Sequence, residues 1–272
     1  MSGEFHVKYS LILFSIVCIL GALCLAPAAS GAAVTASIST GPGQADNVSS
    51  LESEGYAAIA TDDWPWLLSI AENGTALDPG NPVFYAMKGY AERKLGDYPA
   101  ALAADTRSIE IQPNAVRYTN RGITYLALGN YTAALSDGQA SVALDPSFSD
   151  AHALIALANL GLNRTTEAQG EIEQALAMFP DSPSYWHYQG RIALAAGNCT
   201  LAISSLERSI ALNPSYSLPW PTMTNATVDL AAARAQCETG SPGTGSNVGK
   251  IPLEPVIVVF AAAGALFLAS RR

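Results

Sequence analysis

The residues whose types could support chemistry are few: four cysteines, three histidines and six Asn-x-Ser/Thr triplets in 272 residues. Cys18 and Cys24 lie in a strongly apolar leader, which leaves Cys199 and Cys237 as either a disulfide or two separate buried thiols. His6 falls in the same leader. His152 and His187 have no acidic or cysteine companions at ligand spacing, so they read as packing or surface-contact residues and not as metal ligands. The triplets at Asn47, Asn73, Asn130, Asn163, Asn198 and Asn225 carry the acceptor signature of N-linked glycosylation, where twelve asparagines should give only about two by chance. Their other use is structural: Asn closes one helix, and Thr132, Thr165 or Thr200 helps to cap the next. Asp62-Asp63 before Trp64 likewise reads as a helix cap. No Gly-rich phosphate loop, nucleophile elbow or metalloprotease helix occurs, no cofactor is implied, and the expectation is a protein that binds and is not an enzyme.

The elements that must position these residues come from a chain that is 49% hydrophobic and only 14% charged, a balance that suits packed helices and excludes a disordered polyelectrolyte. Much of the apolar excess sits at the two ends. Residues 10–29 follow Lys8 and end in Ala26-Pro27-Ala28, a small-x-small cleavage pattern, so 1–28 reads as a signal peptide or an uncleaved anchor. Leu23 before Cys24 is too large for a lipobox. Residues 255–270 are apolar and precede Arg271-Arg272; at ~1.5 Å per residue they span about 24 Å, slightly less than a ~30 Å hydrocarbon core. The expectation is a membrane anchor at 251–272 with a cytoplasmic basic tail and an extracytoplasmic middle. This tail resembles the sorting segments of archaeal surface proteins, although it lacks their Pro-Gly-Phe tripeptide, so permanent anchoring is the expectation. Between the ends lie 21 acidic and 11 basic residues. Such a surface repels phosphate backbones, which excludes nucleic acid as a partner.

The middle of the chain repeats. Pro79, Pro113, Pro146, Pro180 and Pro214 step by 34, 33, 34 and 34 residues. The series Gly55, Gly89, Gly122, Ala156, Gly190 keeps the same steps, as do Leu67, Ala101, Ala134, Ala168, Ala202 and Asp62, Gly96, Gly129, Asn163, Gly197. Gly or Ala midway along the first helix admits a second helix, the turn series closes the first helix, and proline starts the next unit. Ile111, Leu144, Met178 and Leu212 before the prolines read as bulky filler.

This pattern resembles the tetratricopeptide repeat, best at residues 82–114 (Tyr85, Gly89, Gly96, Tyr98, Ala101, Ser108, Pro113) and 183–215 (Trp186, Gly190, Gly197, Ala202, Ser209, Pro214). The resemblance implies an all-α, right-handed superhelical solenoid of antiparallel helix pairs. Its four repeats are 82–114, 115–148, 149–182 and 183–215. A degenerate capping repeat occupies 48–81, with Pro65 and Asn73-Gly74 leaving its second helix short or frayed. A capping helix closes 216–238, and flexible linkers fill 29–47 and 239–250. In such a stack the capping helix runs antiparallel to the last repeat's second helix, which brings Cys199 and Cys237 to one edge and implies a disulfide. Asn130, Asn163 and Asn198 fall in turns along one edge. The resemblance also implies a concave groove for a protein or peptide, lined by Val83, Ala86, Tyr90, Arg93, Thr119, Asn120, Ile123, Leu126, Ala153, Leu157, His187, Tyr188 and Arg191. Ala86 and Tyr90 stand where a carboxylate clamp would need basic or amide residues, so that specialised role is not implied. Three functions follow in order: an exported interaction scaffold, a structural component of the envelope, and an enzyme with an unfamiliar site.

Overall fold

Prolines, Asp, Asn and Ser caps, and left-handed turns divide the middle of the chain into helices of nearly equal length. The computed structural model describes residues 42–214 and 225–238, with side chains from residue 47 onward. The expected signal segment, carboxy-terminal linker and membrane anchor lie outside the described residues. Five helix pairs follow one another: α1 (Pro42–Ala60) with α2 (Trp64–Leu77), α3 (Pro82–Leu95) with α4 (Tyr98–Ile111), α5 (Ala115–Ala127) with α6 (Tyr131–Leu144), α7 (Ser149–Gly161) with α8 (Thr165–Met178), and α9 (Pro183–Ala195) with α10 (Cys199–Leu212). A final helix, α11 (Ala226–Glu238), packs on α10 and touches α9, the place a further repeat's first helix would take.

The turn inside each pair is one structure used five times. Asp62, Gly96, Gly129, Asn163 and Gly197 have φ of 55°, 86°, 71°, 60° and 76°, the left-handed conformation that reverses a helix end. In each turn the next residue's N–H reaches back to the preceding helix, as Asp97 does to Glu92 O at 2.8 Å and Asn198 to Ala193 O at 2.8 Å. That same residue opens the second helix. The side chains of Asp63, Asp97, Asn130 and Asn198 accept from a backbone N–H one turn on, whereas Arg164 makes no such bond. Asn130 and Asn198 therefore start second helices and do not close first ones; among the turn asparagines only Asn163 is the closing residue.

Within the pairs the seam is held by small residues and, in three of the five, by a serine hydroxyl. Ser108, Ser141 and Ser209 donate to the carbonyls of Pro82, Ala115 and Pro183 at 2.7, 2.8 and 2.7 Å, tying α4, α6 and α10 to the starts of their partners. Successive first helices touch (α3 with α5, α5 with α7, α7 with α9), while successive second helices do not. First helices thus form the inner side of the stack. The largest core cluster centres on α7, whose residues 151–160 are all buried.

Three expectations change. The second helix of the capping repeat is not frayed: α2 has 14 residues, like α4. Pro65 sits in its first turn, where a missing N–H is harmless. Gly74 makes room for the Phe84 ring, which a Cβ would approach to 2.2 Å. Residues 42–47 are helical and not linker, since Pro42 begins α1. Leu144 and Met178 are exposed and not filler, because they end their helices at the edge of the stack.

Candidate functional site

The inner face carries the expected groove residues, and the structure divides it in two. Around α3 and α5 it remains accessible: Val83, Ala86, Tyr90, Asn120 and Ile123 are half-buried. Tyr90 meets Trp64 edge-on, with ring centroids 5.5 Å apart. The Lys94 ammonium lies over both rings, 4.8 Å from Trp64 and 5.5 Å from Tyr90. Burial raises the Tyr90 hydroxyl's pKa against the opposing effect of nearby Arg93. Asn120 contributes an amide that can both donate to and accept from a peptide group.

The remaining groove candidates are internal. Arg93, Thr119, Leu126, Ala153, Leu157, His187 and Tyr188 are buried, and Arg191 nearly so. The apolar ones among them, Leu126, Ala153, Leu157 and Tyr188, join one core cluster, because α5, α7 and α9 approach closely enough to fill their shared inner face. The polar ones have internal partners. Arg93 donates to Asn120 O at 3.1 Å and Thr124 Oγ1 at 3.2 Å and lies 3.6 Å from Asp105. Thr119 donates to Ser141 Oγ at 2.9 Å. His187 Nε2 lies 2.7 Å from Asp229 Oδ2 on α11, and Arg191 Nε is 3.6 Å from the same oxygen. These side chains hold elements together and are removed from the contact surface.

Several polar pairs that no periodic signal marked lie in this interior. Arg121 grips Asp137 through two bonds of 2.8 Å. His152 Nδ1 lies 2.7 Å from Glu171, with its other ring nitrogen 3.2 Å from Pro146 O. Asp105 accepts from Thr124 at 2.7 Å, yet burial raises its carboxyl to about 6 in spite of Arg93. Glu92 is raised to about 7, also by burial, with Lys88 at 3.9 Å the opposing charge. Arg93 with Asp105 and Thr124, or Arg121 with Asp137, comes from different helices at unequal separations, so only the fold reveals them. Among the described residues no three His, Cys, Asp or Glu side chains are grouped to hold a metal ion, and no helix is long and apolar enough to cross a membrane.

Cys199, at the start of α10, and Cys237, near the end of α11, are joined with Cα atoms 5.8 Å apart. All six triplet asparagines are exposed. Asn130, Asn163 and Asn198 occupy the turns after α5, α7 and α9; Asn225 precedes α11; Asn47 and Asn73 lie inside α1 and α2.

The sequence profile of the tetratricopeptide repeat matches residues 119–168 and 154–217, so this part of the chain carries tetratricopeptide repeats. Among solved structures the chain is similar to TTC0263, a thermophilic tetratricopeptide-repeat protein of Thermus thermophilus, with TM-score 0.59 and 19% identity over 71% of this chain and 99% of that one. It is similar to MamA 41-end from Desulfovibrio magneticus RS-1, with TM-score 0.51 and 19% identity over 64% of this chain and 98% of that one. A match to the APC/C hetero-tetramer Cut9-Hcn1 has TM-score 0.62 and 15% identity over 82% of this chain and 43% of that one. No curated protein matches the sequence. The shared feature is the fold, an all-α repeat solenoid of the kind that serves as a protein-interaction scaffold.

Proposed function

We propose that this chain is an exported, membrane-tethered scaffold that binds a protein or peptide segment on the accessible inner face of α3 and α5. The observation that carries the reading is the contrast along that face. The α7 and α9 stretch is filled by its own side chains, whereas Val83, Ala86, Tyr90, Asn120 and Ile123 remain partly accessible on helices already ordered. A preformed surface avoids the ordering cost of a flexible one. Helical neighbours on both sides fix the spacing of its apolar and amide groups. The apolar segments at 10–29 and 255–270 and the joined cysteines support export and tethering, since disulfides persist in oxidising compartments. The acidic surface supports a partner other than nucleic acid.

Crosslinking on intact cells, followed by identification of captured chains, tests the reading. Ala86→Arg places a charge on the accessible face without touching the core. Capture should fall at least tenfold while circular dichroism and melting stay unchanged. Undiminished capture would place the partner elsewhere.

A second reading, an assembling component of the envelope, is favoured by one observation. Leu144, Phe179 and Val116 are 55%, 58% and 50% exposed and lie at the edge where the inter-repeat loops gather. There Phe148 and Phe179 line a cavity of about 320 Å³ with Tyr185. Concentration-dependent self-association in size-exclusion chromatography, abolished by Phe179→Ser, is the expected signature of that reading.

A further inference from the structure

We propose that Asn130, Asn163 and Asn198, in a row of turns along one edge of the solenoid, and Asn225, which opens α11, carry N-linked saccharides. This rests on the export reading above. The first support is where the fold places asparagine. All six triplet asparagines are exposed, while of the other five described asparagines Asn81, Asn114, Asn120 and Asn159 are not. The exception, Asn213, is followed by Pro214, the residue type that bars a triplet from acceptor function. Exposure therefore follows the triplet and not the residue type alone.

The second support is that the structural duty of these asparagines survives modification. The Oδ1 atoms of Asn130, Asn198 and Asn225 accept from Ala133, Leu201 and Val228 N–H at 3.1, 3.1 and 2.9 Å. Acceptor chemistry uses the other atom. With a phosphate-activated, lipid-linked saccharide as donor, the bond from the anomeric carbon to the carrier phosphate oxygen breaks and a bond to Nδ2 forms. The carrier leaves as its phosphate and Nδ2 loses one proton. Oδ1 keeps its lone pairs, so α6, α10 and α11 remain capped. Asn163 has no such duty, because its turn is closed by its left-handed backbone.

The third support is the ground beside the row. A cavity of about 520 Å³ between α8 and α10 is lined by Asn198 itself and by Thr165, the third residue of the Asn163 triplet. Thr166, Gln169 and Glu173 on its wall offer hydroxyl, amide and carboxylate partners to a first sugar ring. Asn225 opens α11 at the opposite edge. Asn47 and Asn73 lie inside helices, and the proposal does not extend to them.

The test uses the full chain isolated from its own cells, with intact mass, glycopeptide fragmentation and labelling of whole cells by a membrane-impermeant reagent. Thr132→Ala and Thr200→Ala remove a triplet while leaving its capping asparagine; Thr132→Ser and Thr200→Ser preserve both. The expected result is saccharide mass at the four sites, one site lost in each Ala variant and retained in each Ser variant. A chain that is labelled from outside but has the mass of the bare polypeptide overturns the glycan proposal and leaves export standing. A chain that is neither labelled nor modified overturns the export reading and the proposal with it.

Discussion

Replacing both Cys199 and Cys237 by serine should loosen the carboxy-terminal end of the solenoid far more than its other regions. The bond closes a loop of sequence separation 38, for which the chain-entropy relation gives about 4 kcal/mol. Little else is strong enough to compensate. Helix α11 has 13 residues, a length that is marginal in isolation, and its buried residues are Ala226, Leu230 and Ala233. Its exposed Arg234–Glu207 pair at 2.7 Å adds only a few tenths of a kcal/mol. The Asp229 contacts to His187 and Arg191 are the main polar attachment. Because repeat stability is transmitted only between neighbours, the loss should appear in α10 and α11 and fade by α6. Hydrogen exchange resolved by segment is the assay. About 4 kcal/mol corresponds to exchange roughly a thousandfold faster in α10 and α11 of the serine variant, with α3 to α5 unchanged. Equal exchange in both forms would show that the joined cysteines add nothing to α11 docking and would refute the reasoning.

Two glycines in second helices should respond oppositely to alanine. Gly74→Ala drives a Cβ to 2.2 Å from the Phe84 ring and should cost about 1–3 kcal/mol in thermal or denaturant unfolding. At Gly170 in α8 a Cβ meets nothing within 4 Å, so Gly170→Ala should gain about 0.5–1 kcal/mol from helix propensity alone. Glu92 should give an unusual pH dependence. Its folded carboxyl is raised from 4.5 to about 7, so the folded chain holds a proton that the unfolded chain has released, and stability falls as pH rises through that window. At ~1.4 kcal/mol per unit the ceiling is about 3 kcal/mol at pH 8; Glu92→Gln should flatten the decline between pH 5 and 8 in denaturant titrations. Asp229→Asn removes the carboxylate facing His187 and Arg191 and should destabilise the α9–α11 end by about 2–4 kcal/mol, read as earlier cleavage within α11 in limited proteolysis.

The pairing of helices was legible because each signal is local. A left-handed turn residue, a cap one position later in four of the five pairs, and a proline before the next unit each act within a few residues, at steps of 33 or 34. Reading Asn73-Gly74 as a helix breaker failed for the opposite reason. Propensity penalises Gly, but the Phe84 ring of the next helix fills the space its missing side chain leaves, and that ring is 10 residues away on another element. The inner face was legible only as a register. Positions that lie open in a widely curved stack are occupied here because Ala153 and Leu157 let α7 settle against its neighbours, and closeness of that kind depends on side-chain sizes summed over three helices. Arg191 read as a groove residue in the sequence because its partner, Asp229, arrives from a helix outside the repeats.

The two edges of the stack differ in a way that limits how it can engage another molecule. Along the turn edge the termini of first helices meet caps of second helices, and the exposed residues are Asn130, Asn163 and Asn198 together with Leu95 and Leu128. Along the loop edge the recurrent exposed residues are Val116, Leu144 and Phe179. Polar turns hold their backbone through caps and need water, whereas apolar side chains left at helix ends lose nothing by being covered and gain roughly 25 cal/mol for each Å² removed from water. Saccharides at Asn130, Asn163 and Asn198 would add bulk and hydration to the turn edge, while the one at Asn225 lies beyond the last repeat and leaves Val116, Leu144 and Phe179 uncovered. Any large surface that docks would then have to come from the loop side or along the inner face of α3 and α5. Moving the triplet is a way to separate these cases. An Asn-x-Thr placed at Val116, by Val116→Asn with Tyr118→Thr, should block association at the loop edge and spare peptide capture at Tyr90, whereas loss of both would mean that the two surfaces belong to one continuous contact.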